Sequence, residues 1–169
     1  MNTHLSSWVS RRKGILAVAW LPILVGAWWA FRPEKLWINQ KVSEPSPFAS
    51  SNDPQALYTG RLEGESHQTS GRATIYRAPD GKQYLSLTDF STSNGPDVHL
   101  VLAQGDEANL IQKIVKGQLD MVELGALRGN QGDQNYDLPG SVDLQKYNAA
   151  VIYSERFHAV FGLARLEQF

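Results

Sequence analysis

From Leu57 to Leu166 the chain repeats one pattern, a short β-favouring run closed by a turn, at intervals of roughly ten residues. Thr69 to Arg77 alternates polar and apolar residues, Pro79-Asp80-Gly81 is a turn, and Gln83 to Phe90 is a second run, so the two read as a hairpin. In that second run Tyr84, Ser86, Thr88 and Phe90 share one face, while Leu85, Leu87 and Asp89 share the other. An acidic residue ending an apolar face marks a strand end that meets solvent or a ligand. Asp97 to Ala103 follows, with Val98, Leu100 and Leu102 on one side and His99 and Val101 on the other. Met121 to Leu127, Ala149 to Tyr153 and Phe157 to Leu166 are further strands, the last with Phe157 and Phe161 expected in the core. Asp106 to Lys116 reads equally as one short helix or an extended excursion. About seven short strands so spaced predict an all-β fold, an antiparallel sandwich or barrel.

Two polar loops interrupt the strands. Asn94-Gly95-Pro96-Asp97 combines residues that tolerate left-handed backbone angles with a proline that fixes its own φ, so the loop has a defined shape. It gathers Asp89, Asn94, Asp97 and His99 at one end of the domain, where carboxylates and an amide suit a divalent cation or a polar ligand. The competing reading is self-capping, in which Asp and Asn side chains bond nearby backbone N–H groups. The second loop, Arg128 to Leu138, offers Asp133, Gln134, Asn135 and Tyr136, which join the first set as ligand-binding candidates if the loops meet. His67, His99 and His158 fit no zinc spacing, and no G-x-S-x-G elbow is present, so no catalytic residue is expected.

The N-terminus is of another kind. Arg11-Arg12-Lys13 precedes Gly14–Phe31, eighteen residues without a charge. As helix that is about 27 Å, near the thickness of a hydrocarbon core. Trp28, Trp29 and Phe31 crowd its far end, where aromatic rings favour the headgroup zone. A signal peptide cut after Ala30 would put Trp28 three residues before the scissile bond, a poor fit, and a buried core helix would not carry this basic flank. The expected organisation is a cytoplasmic N-terminus over 1–13, an uncleaved single-pass transmembrane signal anchor over 14–31, a Pro/Ser linker over 32–56 and an extracytoplasmic β-domain over 57–169. That domain carries ten basic against fourteen acidic side chains and no basic stripe, which argues against nucleic acid as a partner. The membrane and an unidentified protein or small molecule are the partners expected. Cysteine is absent, which excludes disulfides, thiolate catalysis, Cys-ligated zinc and iron–sulfur clusters.

Five blocks in order carry a resemblance: Gly71-Arg72-Ala73-Thr74-Ile75-Tyr76, Tyr84 to Phe90, Asn94 to His99, Gly132-Asp133-Gln134-Asn135-Tyr136 and Val151-Ile152-Tyr153-Ser154. Together they resemble the DM13 domain over about residues 57–168. The resemblance implies a DOMON-like β-sandwich proposed to take part in electron transfer. It also implies a cysteine where this chain has Ser154, and serine cannot cycle between thiol and disulfide. The function expected is a membrane-anchored binding or accessory module without catalysis of its own; the alternative, which the resemblance implies, is an electron-transfer domain holding a divalent metal or a non-covalent redox cofactor.

Overall fold

The computed structural model describes Pro22, Val25 and Gly26, which are helical, and residues 38–45, 54–65, 67–105 and 108–169. The expected cytoplasmic N-terminus, nearly all of the expected anchor over 14–31 and much of the expected linker therefore lie outside the described residues. Among the described residues no helix is long and apolar enough to cross a membrane. Ile38 to Phe169 forms one compact unit.

The described residues of this unit form ten strands and one helix: β1 (Gln55–Arg61), β2 (Glu63–Gly64), β3 (Thr69–Arg77), β4 (Gln83–Thr92), β5 (Val98–Ala103), α1 (Leu110–Val115), β6 (Val122–Ala126), β7 (Gln134–Leu138), β8 (Ala149–Ser154), β9 (Ala159–Arg165) and β10 (Glu167–Gln168). They build two five-stranded antiparallel sheets, ordered β10-β1-β3-β4-β7 and β2-β9-β8-β5-β6. Ile75, Leu85, Leu87 and Phe90 of the first sheet and Leu100, Leu102, Ile152 and Phe161 of the second belong to one buried core. Of the two all-β forms that the strand spacing allows, sandwich or barrel, this is the antiparallel two-sheet sandwich. A second cluster lies on the opposite face of β5, β8 and β9, where Leu110 and Ile114 of α1 join Val101, Ala149, Val151 and Val160. The open question over 106–116 thus resolves to a helix of six residues.

The β3–β4 hairpin is closed as its turn chemistry requires, with Gly81 at φ 84° and the Asp80 carboxylate accepting the Lys82 amide. Further along, strict alternation fails. Ser70 pairs with Ser91 but Arg72 pairs with Thr88, so Asp89 and Phe90 together oppose Gly71 in a β-bulge. Asp89 takes φ 49° and Gly71 φ 125°. A Cβ on Gly71 would press on the backbone of Thr88 and Phe90. The bulge turns Phe90 into the core beside Leu85 and Leu87, and not onto the Tyr84 face where alternation puts it.

Three other features depart from the sequence pattern. Half of the expected second polar loop is strand: Gln134 to Leu138 pairs with Leu87 to Gln83 as β7. Phe157 belongs to the turn before β9 and is 58% exposed, whereas Phe161, inside the strand, is fully buried. And residues 39–45, in the stretch read as linker, are bound to the domain. Lys41 bridges Gln131, the amides of Val42 and Glu44 donate to the carbonyls of Gln131 and Asp133, and Glu44 forms an ion pair with Arg128.

Candidate functional site

The end of β4 and the β6–β7 loop meet. The Thr92 amide donates to the Asn130 carbonyl at 2.8 Å, the Gly132 amide to the Phe90 carbonyl at 2.7 Å, and the Asp89 amide to Asp133 Oδ1 at 3.0 Å. Asp89 and Asp133 are both exposed, and with Lys41, Val42, Ser43 and Gln131 they border a cavity of about 530 Å³. Asn94 is drawn away from it. Its amide donates to Asn39 Oδ1, which Asn130 shares, so Asn94 helps to hold the 39–45 segment.

The other candidates of the second loop serve the fold. Gln134 is wholly buried. Its Oε1 accepts the amides of Arg128 and Gly129 and the Tyr136 hydroxyl, while its Nε2 donates to the Gly129 carbonyl. It closes the β6–β7 loop from inside. Tyr136 lies in the core, and burial pushes its phenol up to about 12. Asn135 faces the bound segment: its amide N–H donates to Glu44 Oε2 and its side chain to the Pro45 carbonyl. Burial alone would raise the Glu44 carboxyl, but its bonds to Arg128 and Asn135 outweigh that and hold it below the usual glutamate range.

Asp97 and His99 belong to a different group, beside the outer face of the second sheet. His99 is half-buried on β5, opposite Tyr153 of β8 and Ala126 of β6. Its Nδ1 lies 2.6 Å from Glu123 Oε1 and its Nε2 3.2 Å from Asp97 Oδ1. A bulge in β6, between the Leu100–Gly125 and Val101–Glu123 pairs, shifts the strand beside His99. Asp97 sits at φ 56°, a left-handed angle that a short polar side chain tolerates. Its carbonyl accepts the Glu155 amide at 3.1 Å, which ties the end of β8 to the start of β5. One ligand atom from each of Asp97, His99 and Glu155 lies within 4.8 Å of the other two. Burial tends to lower the His99 pKa, but its bonds to Asp97 and Glu123 prevail and raise it. The remaining described histidines have other partners: His67 stacks on Phe161 at 3.8 Å, and His158 Nδ1 lies 3.0 Å from the Tyr153 hydroxyl.

Ser154 ends β8 with no exposed surface. Its hydroxyl donates to the Pro96 carbonyl at 2.8 Å. Asp97 and Glu155 are therefore the next residues along each of the two segments that this bond joins. Glu123 and Glu155 carry no signal in the sequence. Glu123 reads as one residue of a mixed strand and Glu155 as part of a turn, and only the pairing of β5 with β6 and β8 brings them to His99.

The fold and this geometry define a two-sheet antiparallel sandwich with polar loops and a carboxylate–imidazole group at a strand end. Residues 61–166 match the family model described as electron transfer DM13, and the chain belongs to the DM13 family. No curated protein and no solved structure matches the chain.

Proposed function

We propose that this DM13 domain acts outside the cytoplasm, tethered to the membrane by residues 14–31, as an accessory module that relays electrons through a bound metal or cofactor. The observation that carries this reading is its membership in an electron-transfer family with a buried serine at Ser154, where the resemblance expects a thiol. A serine hydroxyl has no accessible redox couple, so a relay of this family here needs a bound group. The donors present suit one: the imidazole of His99 with the carboxylates of Asp97 and Glu155 is a set that first-row transition metals accept. A redox-active ion of that row, such as copper or iron, would supply the one-electron couple when bound. The chain's part is to hold it, to orient His99 and to keep one side open, since Asp97 and Glu155 are exposed. The uncharged run after Arg11-Arg12-Lys13 supports the tether and its orientation.

Voltammetry of the full chain, purified from membranes in mild detergent, tests the relay. A reversible wave of about one electron per chain is expected. A chain with no redox-active species between the potentials of common biological donors and acceptors contradicts it. A second reading, a purely binding module, draws support from the 530 Å³ cavity between Asp89 and Asp133. It predicts no wave and binding of a polar ligand that Asp89→Ala abolishes.

A further inference from the structure

We infer that Asp97, His99 and Glu155 form a single site for a first-row divalent cation, with Glu123 as the residue that positions the imidazole. The inference names the seat of the bound group in the reading above. It starts from geometry: one ligand atom from each of Asp97, His99 and Glu155 lies within 4.8 Å of the other two. On the other side of the ring, His99 Nδ1 lies 2.6 Å from Glu123 Oε1, while Nε2 lies 3.2 Å from Asp97 Oδ1. A carboxylate on one nitrogen and a cation on the other is the arrangement that orients metal-binding histidines and raises their basicity.

The local charge points the same way. Three carboxylates surround one imidazole, and among the described residues no lysine or arginine forms an ion pair with Asp97, Glu123 or Glu155. Even with His99 doubly protonated the group keeps net negative charge. The backbone holds the donors in place: the Glu155 amide is bonded to the Asp97 carbonyl, and His99 is fixed between β6 and β8. Glu155 is exposed and free to close the last part of the gap, since ligands sharing one ion at about 2.1 Å stand roughly 3.0–3.4 Å apart.

One nitrogen and two carboxylates define the class of ion. Calcium takes 6–8 oxygen ligands and gains little from an imidazole. Imidazole suits zinc, copper, iron and nickel, and by the Irving–Williams order copper(II) binds most tightly. Three protein ligands at an exposed edge leave positions for water, as an exchangeable or redox-active ion requires.

Titration calorimetry of the full chain in detergent micelles at neutral pH, with Cu²⁺, Zn²⁺ and Ca²⁺ in separate runs, tests the site. One Cu²⁺ per chain is expected, tighter than Zn²⁺, with no saturable heat from Ca²⁺. Asp97→Asn retains a residue that accepts the left-handed backbone, and Glu155→Gln is exposed, so both variants keep the fold; each weakens Cu²⁺ at least tenfold. Glu123→Gln weakens it about 10- to 100-fold without touching the ion. Absence of one-to-one binding by both Cu²⁺ and Zn²⁺, or wild-type affinity in the Asp97→Asn/Glu155→Gln double variant, overturns the inference. Binding without a voltammetric wave leaves the site standing and removes the electron-transfer reading; a wave with no metal bound does the reverse.

Discussion

Replacing Gln134 by alanine separates a structural amide from a ligand-facing one. The side chain is wholly buried and makes four bonds, three accepted by Oε1 and one donated by Nε2. Without it, the Arg128 amide sits near solvent and the Tyr136 hydroxyl retains the Ala126 carbonyl at 3.4 Å as an acceptor. The amide and carbonyl of buried Gly129 lose these bonds. Each buried group left unsatisfied costs about 1–3 kcal/mol, so the loss is about 3–5 kcal/mol once the small void is included. For a domain of this size that lowers Tm by roughly 10–20 °C. Thermal unfolding followed by circular dichroism measures it, with Asp133→Ala, an exposed neighbour, expected within about 3 °C of wild type. If Gln134→Ala also unfolds within about 3 °C of wild type, the inward role assigned to Gln134 is wrong.

Three further outcomes are expected. Because the folded Glu44 carboxyl titrates below its usual range, its contribution is present above the unfolded value of about 4.3 and is lost as pH falls through the folded one. Amide exchange at Val42 and Glu44 should therefore accelerate below about pH 4 before the β3–β4 ladder opens; simultaneous acceleration refutes this. Gly132→Ala forces a left-handed backbone angle on alanine and drives its methyl into the Val42 carbonyl, so it should release residues 39–45 to proteolysis; unchanged resistance to cleavage there contradicts the placement. Ser154→Cys should lower stability by about 1 kcal/mol through a weaker bond to the Pro96 carbonyl. Its thiol should resist alkylation in the folded chain, because the position has no exposed surface.

Much of the sandwich is readable from alternation and turns alone. Thr69 to Arg77 has the same bounds as β3, and Val98, Leu100 and Leu102 fall in one core cluster while Val101 falls in the other, as alternation predicts. Alternation fails where the backbone inserts a residue. The bulge at Asp89 sends Phe90 inward, and nothing in Thr88-Asp89-Phe90 announces it, since aspartate takes a left-handed angle only where a partner strand imposes it. The strand over Gln134 to Leu138 is hidden because the Gln134 side chain bonds inward and the Asn135 side chain bonds the Pro45 carbonyl. The same distance effect divides the expected site. Asp89 and Asp133 come together, as do Asp97 and His99, but Gln134 and Tyr136 turn into the core and Asn94 bonds Asn39. Glu123 and Glu155 reach His99 only through strand pairing, which residue spacing does not encode.

The most direct measurement is the electron paramagnetic resonance spectrum of the full chain loaded with one equivalent of Cu²⁺. Coordination by His99 predicts a protein-bound cupric signal with coupling to a single imidazole nitrogen, absent from His99→Gln. A free-copper spectrum in the wild type, or the same nitrogen-coupled signal in His99→Gln, contradicts a metal-holding DM13 domain.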